Sequence, residues 1–392
     1  MKKVFFILTA LLLTAQNALA IEELKDVGIA KYAVLETLRD DVPIRNKDSE
    51  NASRITELYK NSVLFADKQN KDYYRVELDD DKYAWVNKKY VEVQAIIPEK
   101  RFEDIEKITH KSKKDRYIFK INTNSRSAFE FKQNGNNLDF TLYDVHYDPD
   151  CVNFKNKDSN FKLSDKIENE FKINYSSNKP LFGYGISPYE EGYILTIKKP
   201  PKINPKKPLK NIIFTLDPGH GGDEVGACAF GLEEKTINLQ IAKKLKKELK
   251  KSGAKVYMTR KKDKTTDLYS RCAFAKEKNS DILLSIHQNS LANKKDVEKK
   301  HGVGTYYYHN QSKPLAENIL DSLVKATNFR NDNVNYASFV LTRTTFQPSV
   351  LIECGYLIKQ DEAQKLKDKK FQKIIARAIV EGCKNYLKEN FN

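Results

Sequence analysis

Four residues in the second half of the chain have types and settings suited to hydrolysis: His220, Glu234, His287 and Glu353. His220 follows the apolar run NIIFTL (211–216) across the turn Asp217-Pro218-Gly219, and Gly221-Gly222 come straight after it. Such glycines permit tight backbone conformations and leave space beside the imidazole. His287 ends the run DILLSI (281–286), and Glu353 ends PSVLI (348–352). If these runs are strands of an open α/β sheet, the three side chains meet beyond the carboxyl ends, where ligands gather in such sheets. Glu234 reaches the same place from a helix. Ile237, Asn238, Ile241, Leu245 and Leu249 recur at three-to-four spacing and form its buried stripe. Glu234 precedes the first two by three and four residues, whereas Glu233 aligns with Ile237 alone. A carboxylate on an inward face needs a cation, which points to a metal ion or an arginine.

Two histidines and a glutamate, with a second glutamate nearby, make a common ligand set of a hydrolytic zinc site. Three protein ligands leave a position for water, whose pKa the metal lowers to about 7. A second carboxylate can then take the proton and hand it to a leaving nitrogen. Singly, a strand-end histidine or a lone glutamate has an ordinary structural explanation; four on one edge do not. Asn238 and Arg271 are the further candidates for substrate contact, although a local hydrogen bond explains the first equally well and a surface salt bridge is the more ordinary account of the second. His301 and His309 flank the run GTYYY and are not expected among the ligands.

The elements that must carry these residues are legible from residue 211 on. Apolar runs at NIIFTL, AKVYMT, DILLSIH, GVGTYYYH and PSVLIECG alternate with helical patterns at 233–252, DLYSRCAFAKEK, SKPLAENILDSLVKAT and KIIARAIVEGCKNYL. This alternation predicts an α/β unit, a mainly parallel mixed sheet covered by helices.

At these residues the chain resembles a known family. DPGHGG, GLEEKTINLQIAKKL, VYMTR, SIHQNS and PSVLIECGYL, over residues 211–388, resemble the catalytic domain of zinc-dependent N-acetylmuramoyl-L-alanine amidases in order and spacing. The resemblance implies one zinc held by His220, Glu234 and His287, with Glu353 as catalytic acid/base. It implies hydrolysis of the amide between the lactyl group of N-acetylmuramic acid and L-alanine in peptidoglycan. The competing expectations are a zinc peptidase cutting within the stem peptide, and a non-catalytic wall-binding protein. Some relatives carry a plugging regulatory helix after the second histidine motif. Here only Gln288–His301, with the charged run NKKDVEKK, lies between His287 and Gly302, so no activator protein is expected. Tyr356 stands where relatives often have phenylalanine.

The rest of the chain sets the context. Residues 1–20 read as a signal peptide: Lys2 and Lys3, an apolar core from Val4 to Leu13, then Ala18-Leu19-Ala20. No stretch of the mature chain is apolar enough to span a membrane. Export, to a periplasm or an extracellular wall, excludes nucleic acid as the natural partner of a chain with 69 Lys and Arg against 53 Asp and Glu, net +16. The excess positive charge then suits an anionic envelope polymer. Residues 21–98 read as an all-β domain resembling the bacterial SH3-like wall-binding domains, through VPIR (42–45) and YAWVNKKYVEV (83–93) with Trp85. Residues 99–198 read as a second β domain, with a hairpin at Asn134-Gly135-Asn136-Asn137. Residues 199–210, KPPKINPKKPLK, read as a Pro/Lys linker before the catalytic domain, 211–392. Five scattered cysteines without a C-x-x-C spacing are expected to be buried thiols with at most one bridge.

Overall fold

The computed structural model describes residues 32–79, 81–153, 160–164, 169–291 and 298–392. The expected leader, residues 1–20, lies outside the described residues, as do Lys294, Lys295 and Asp296 of the short connection after His287. The chain divides into two compact units. One holds the residues up to Lys113 with Tyr117–Ser177 and Ile186–Thr196; the other holds Lys114–Arg116, Asn178–Gly185 and Ile197–Asn392.

The first unit is all-β. Strands Tyr32–Thr37, Val42–Arg45, Arg54–Leu58, Val63–Gln69, Tyr73–Asp79, Lys82–Asn87 and Val91–Ile97 form one seven-stranded sheet. Period-two patterning sets its core: Val76 and Leu78 are buried on one strand, and Ala84 and Val86 on the next. Trp85, between those two, is only half-buried and lies in register with Arg45 and Arg75. The strand Val63–Gln69 continues through the polar residues Asp67-Lys68-Gln69. The hairpin expected at Asn134–Asn137 is present: Phe129–Asn134 pairs with Asn137–Tyr143. Its turn contains Gly135 at φ +57°.

The second unit carries the candidate residues. Its strands are β1 (Ile213–Pro218), β2 (Lys255–Met258), β3 (Ile282–Asn289), β4 (Val303–Tyr307), β5 (Asn331–Tyr336) and β6 (Ser349–Tyr356). Its helices are α1 (Glu234–Lys251), α2 (Leu268–Glu277), α3 (Lys313–Thr327), α4 (Gln360–Lys367) and α5 (Lys369–Phe391). The sheet order is β2-β1-β3-β6-β4-β5. β1 is parallel to β2 and β3, and β3 to β6, whereas β4 runs antiparallel to β6. The mixed α/β sheet is therefore as the alternating pattern predicts.

The two faces of this sheet differ. Phe214 and Leu216 of β1, Ile282, Leu284 and Ile286 of β3, and Val350, Ile352 and Cys354 of β6 join one large core. The apolar stripes of α1, α3 and α5 complete it, including Ile237, Ile241, Leu245, Ile319, Leu323 and Ile379. Alternate residues point the other way. There the apolar packing is small: Leu283 with Ala275 and Leu341. Toward the carboxyl ends of β1, β3 and β6, that second face carries Asp217, Ser285, His287 and Glu353.

Three parts of the unit are not legible in the apolar pattern. β5, NDNVNY, is a polar edge strand, and α4, QDEAQKLK, buries only Glu362, Ala363 and Leu366. The unit also starts earlier than residue 211: Phe182 and Leu209 are buried in its core, so the end of the Pro/Lys segment is packed. All five cysteines are free; Cys354 and Cys383 are buried, but Cys228 is exposed.

Candidate active site

His220, Glu234 and His287 converge. One ligand atom from each lies within 4.8 Å of the others, and among the described residues this is the group of His, Cys, Asp or Glu that could hold a metal ion. Each arrives by a different route. β1 ends at Pro218, and His220 takes a left-handed conformation, φ +59°, that swings its ring over the sheet edge. His287 stands near the end of β3, where period two puts it on the polar face. Glu234 opens α1, on the same stripe as Ile237 and Asn238, and is 4% exposed.

Glu234 sits between the two imidazoles. Its Oε2 is 3.2 Å from His220 Nε2, and its Oε1 is 2.9 Å from His287 Nδ1. The backbone N–H groups of Ala227 and Gln288 donate to the two oxygens at 2.9 and 3.1 Å, and Asn238 Nδ2 donates to Oε1 at 3.1 Å. Burial works against its charge, yet the hydrogen bonds from His220 and His287 prevail and hold it well below the usual carboxylate range. The bond to Glu234 likewise raises the His220 imidazole, against its desolvation. Two imidazoles and a fixed carboxylate are a donor set that suits zinc.

The backbone around the cluster leaves no room for side chains. A Cβ on Gly219 would lie 2.2 Å from His287 Nε2. On Gly226, at φ +71°, it would lie 2.4 Å from Glu234 Oε2 and 2.7 Å from the His220 ring.

Glu353 is in register with His287 on the neighbouring parallel strand. Its Oε2 is buried and has no hydrogen-bond partner in the structure. Burial, with Glu234 and Asp332 nearby, raises its proton affinity well above that of an ordinary glutamate. A carboxyl group in this state beside a metal-binding cluster can accept and return a proton.

Asn238 and Arg271 sit behind this edge and face inward. Asn238 donates to Gly219 O as well as Glu234 and accepts from Gln288 Nε2, so its amide is fully used. Arg271 is 1% exposed. Its Nη1 donates to Asp217 Oδ1 at 2.8 Å and to Pro218 O, its Nη2 to His220 O, and its Nε to Thr266 O. Both hold the ligand-bearing turn, and both are almost fully buried behind it. His301 pairs with Glu362 at 2.9 Å, and His309 donates to Arg343 O, so neither belongs to the cluster.

Reading the sequence alone misses Arg260 and Asp217. Arg260, also 1% exposed, donates to the carbonyls of Pro218, Gly219 and Lys235. Asp217 accepts from Thr259, Ser285 and Arg271. An arginine directly after a strand and an aspartate before a His-bearing turn were the available signals. Tyr356 also gains a role: its hydroxyl donates to Asp332 Oδ2 at 2.6 Å and accepts from Asn289 Nδ2 at 3.0 Å.

Residues 214–385 match the family model described as N-acetylmuramoyl-L-alanine amidase. The probable cell wall amidase LytH of Staphylococcus saprophyticus is 36% identical over 186 residues, 47% of this chain and 61% of its own length. LytH of Staphylococcus epidermidis is 33% identical over 182 residues, 46% of this chain and 60% of its own. The chain thus spans about three-fifths of the length of these relatives. Among solved structures, the N-acetylmuramoyl-L-alanine amidase of Clostridium difficile 630 is 33% identical, with 45% of this chain and 97% of that one covered and a TM-score of 0.43. AmiC2 of Nostoc punctiforme, an N-acetylmuramoyl-L-alanine amidase, is 31% identical over 45% of this chain and 97% of its own, TM-score 0.43. The C-terminal unit thus carries a domain of the N-acetylmuramoyl-L-alanine amidase family, matched over residues 214–385.

Proposed function

We propose that this protein hydrolyses the amide between the lactyl group of N-acetylmuramic acid and L-alanine in peptidoglycan. In this reading His220, Glu234 and His287 hold one zinc ion. The observation that carries it is the convergence of those ligand atoms within 4.8 Å, beside the Glu353 carboxyl group, whose buried Oε2 lacks a partner. Bound at this cluster, zinc supplies Lewis acidity to water and to the amide carbonyl. Glu353 takes the proton of the attacking water as the new carbon–oxygen bond forms. It delivers that proton to the nitrogen as the carbon–nitrogen bond breaks, so the amine leaves neutral. Asn238, with the backbone of Ala227 and Gln288, keeps Glu234 in one orientation. Arg271 and Arg260 tie down the carbonyls of the turn that presents His220.

The remaining assignments follow the same reading. Residues 1–20 direct export, and the enzyme works in a periplasm or an extracellular wall. Among the described residues no helix is long and apolar enough to cross a membrane. Residues 21–98, as an SH3-like domain, and 99–198 hold the enzyme on the wall. Gln288 and Asn289 belong to β3, which shortens the connection to β4 and supports an enzyme active without an activator protein.

Exhaustive chelation should abolish hydrolysis of purified wall material, and added zinc should restore it. Full activity in protein shown to be metal-free would refute the zinc assignment. Purified mature enzyme should clear wall material unaided; silence until a partner is added would overturn independence from an activator.

A further inference from the structure

We infer that the outer face of α1, together with the first turns of α5, is a docking surface for a linear phosphodiester polyanion. The buried stripe of α1 is spent on the core, through Ile237, Ile241, Leu245 and Leu249. Its opposite side carries Lys243, Lys246, Lys247 and Lys250, positions three and four apart that share one face. Like charges at this spacing destabilise a helix. After Glu234, the helix contains one acidic residue, Glu248, which lies off this face, beside Lys251 and Arg377.

Two flanks extend the ridge. Lys246 is held below the ordinary lysine range by its burial and by the charges of Lys250 and Lys261. Lys244 is depressed by burial and by Lys369. Lys369, Lys370 and Lys373 continue the charge on the exposed side of α5. Gln240 and Lys244 both meet Gln372, and Glu248 meets Arg377, so the two helices run in the same direction and their cations form one elongated field.

The shape of this field selects the occupant. Lys243 to Lys250 extends along the helix by about 10 Å, the run of seven residues. A row of mobile point charges suits a chain of repeating anions without demanding one geometry, as an arginine fork would. A membrane surface would call for an apolar face beside the cations. Here the apolar face of α1 is buried in the core, and Ile374 is the single exposed large aliphatic residue on this side of α5.

The test uses the full mature chain and a synthetic poly(glycerol phosphate) probe. Reversing Lys243, Lys247, Lys370 and Lys373 to glutamate should weaken binding by about tenfold or more and flatten its salt dependence, as lost phosphate contacts do. A control with exposed lysines of α3 reversed, Lys313→Glu and Lys325→Glu, should bind like the parent. Cleavage of soluble muropeptides should stay at the parental rate in both, which also reports an intact fold. Equal weakening in both variants, or in neither, would overturn the assignment of the surface. Preference for vesicles of anionic phospholipid over the polymer would overturn the assignment of the occupant. Binding of the polymer is read without any hydrolysis, so its failure leaves the amidase reading intact, and the reverse holds.

Discussion

Glu353 differs from Glu234 in having a buried oxygen, Oε2, without a hydrogen-bond partner, and in the proposed mechanism that difference sets their tasks. Glu234, bonded on both oxygens, is a fixed negative charge; Glu353, with its bare Oε2, is the proton carrier of the proposed mechanism. Glu353→Gln should therefore keep stoichiometric zinc, while hydrolysis of a soluble muropeptide falls by roughly 10²–10⁴-fold. Near-parental turnover would move the proton transfer elsewhere. His220→Ala and His287→Ala should lose the metal itself, and tight zinc in both would refute the ligand set. Gly226→Ala tests the cradle: its Cβ would meet Glu234 at 2.4 Å, and its φ of +71° disfavours alanine by about 1 kcal/mol. A zinc titration should show weakened affinity, and parental affinity would mean the loop yields freely. The convergence of His220, Glu234 and His287 was legible in the sequence because glycines, a helical stripe and a strand end mark their positions. Arg260 was not, since its place directly after a strand is a faint signal and the carbonyls it holds lie 25 to 42 residues away.

Secondary structure carries these residues through a division between the sheet faces. β1, β3 and β6 read as apolar runs, yet only alternate residues enter the large core, and the others set the polar edge. The strands were legible because parallel central strands are buried on both sides. β5 and α4 were not, because an edge strand whose one buried residue is Asp332 and a polar helix of eight residues carry little apolar signal. Arg271 is the brace of that edge. Arg271→Met would leave Asp217 buried without its cation, a change that costs about 3–5 kcal/mol. Urea unfolding should show it, and a loss under 1 kcal/mol, on the order of a surface pair, would remove the brace. His309 gives the unit a pH dependence. Burial lowers its pKa from 6.5 to about 4, while its neutral ring donates to Arg343 O. The unfolded chain then takes up a proton first as pH falls. This contribution to stability is complete above 6.5 and is lost on acidification toward 4. His309→Gln keeps a donor and should lose less stability across that window; identical slopes would contradict a neutral, buried ring.

At the scale of the whole molecule, composition shows where the chemistry ends but not where its fold begins. The Pro/Lys segment 199–210 suggests a boundary at 211, whereas Phe182 and Leu209 lie in the core of the C-terminal unit. A short apolar piece separated from its core by a hairpin carries no pattern of its own. A 211–392 fragment lacks both side chains and should be less stable than a 178–392 fragment by roughly 3 kcal/mol or more, the cost of emptying a large buried site. Equal melting of the two would place that segment outside the cooperative unit. The longer fragment should cleave soluble muropeptides like the mature chain and act more weakly on insoluble wall, where tethering raises effective concentration. Loss of the soluble activity would mean that the N-terminal residues join in catalysis. The central claim, the identity of the bond cut, rests on the products. Mass spectrometry of purified peptidoglycan digested by the mature enzyme should find stem peptides with a new L-alanine amino terminus and glycan bearing a free lactyl carboxyl group. Intact lactyl–alanine amides with cuts inside the stem peptide would contradict it.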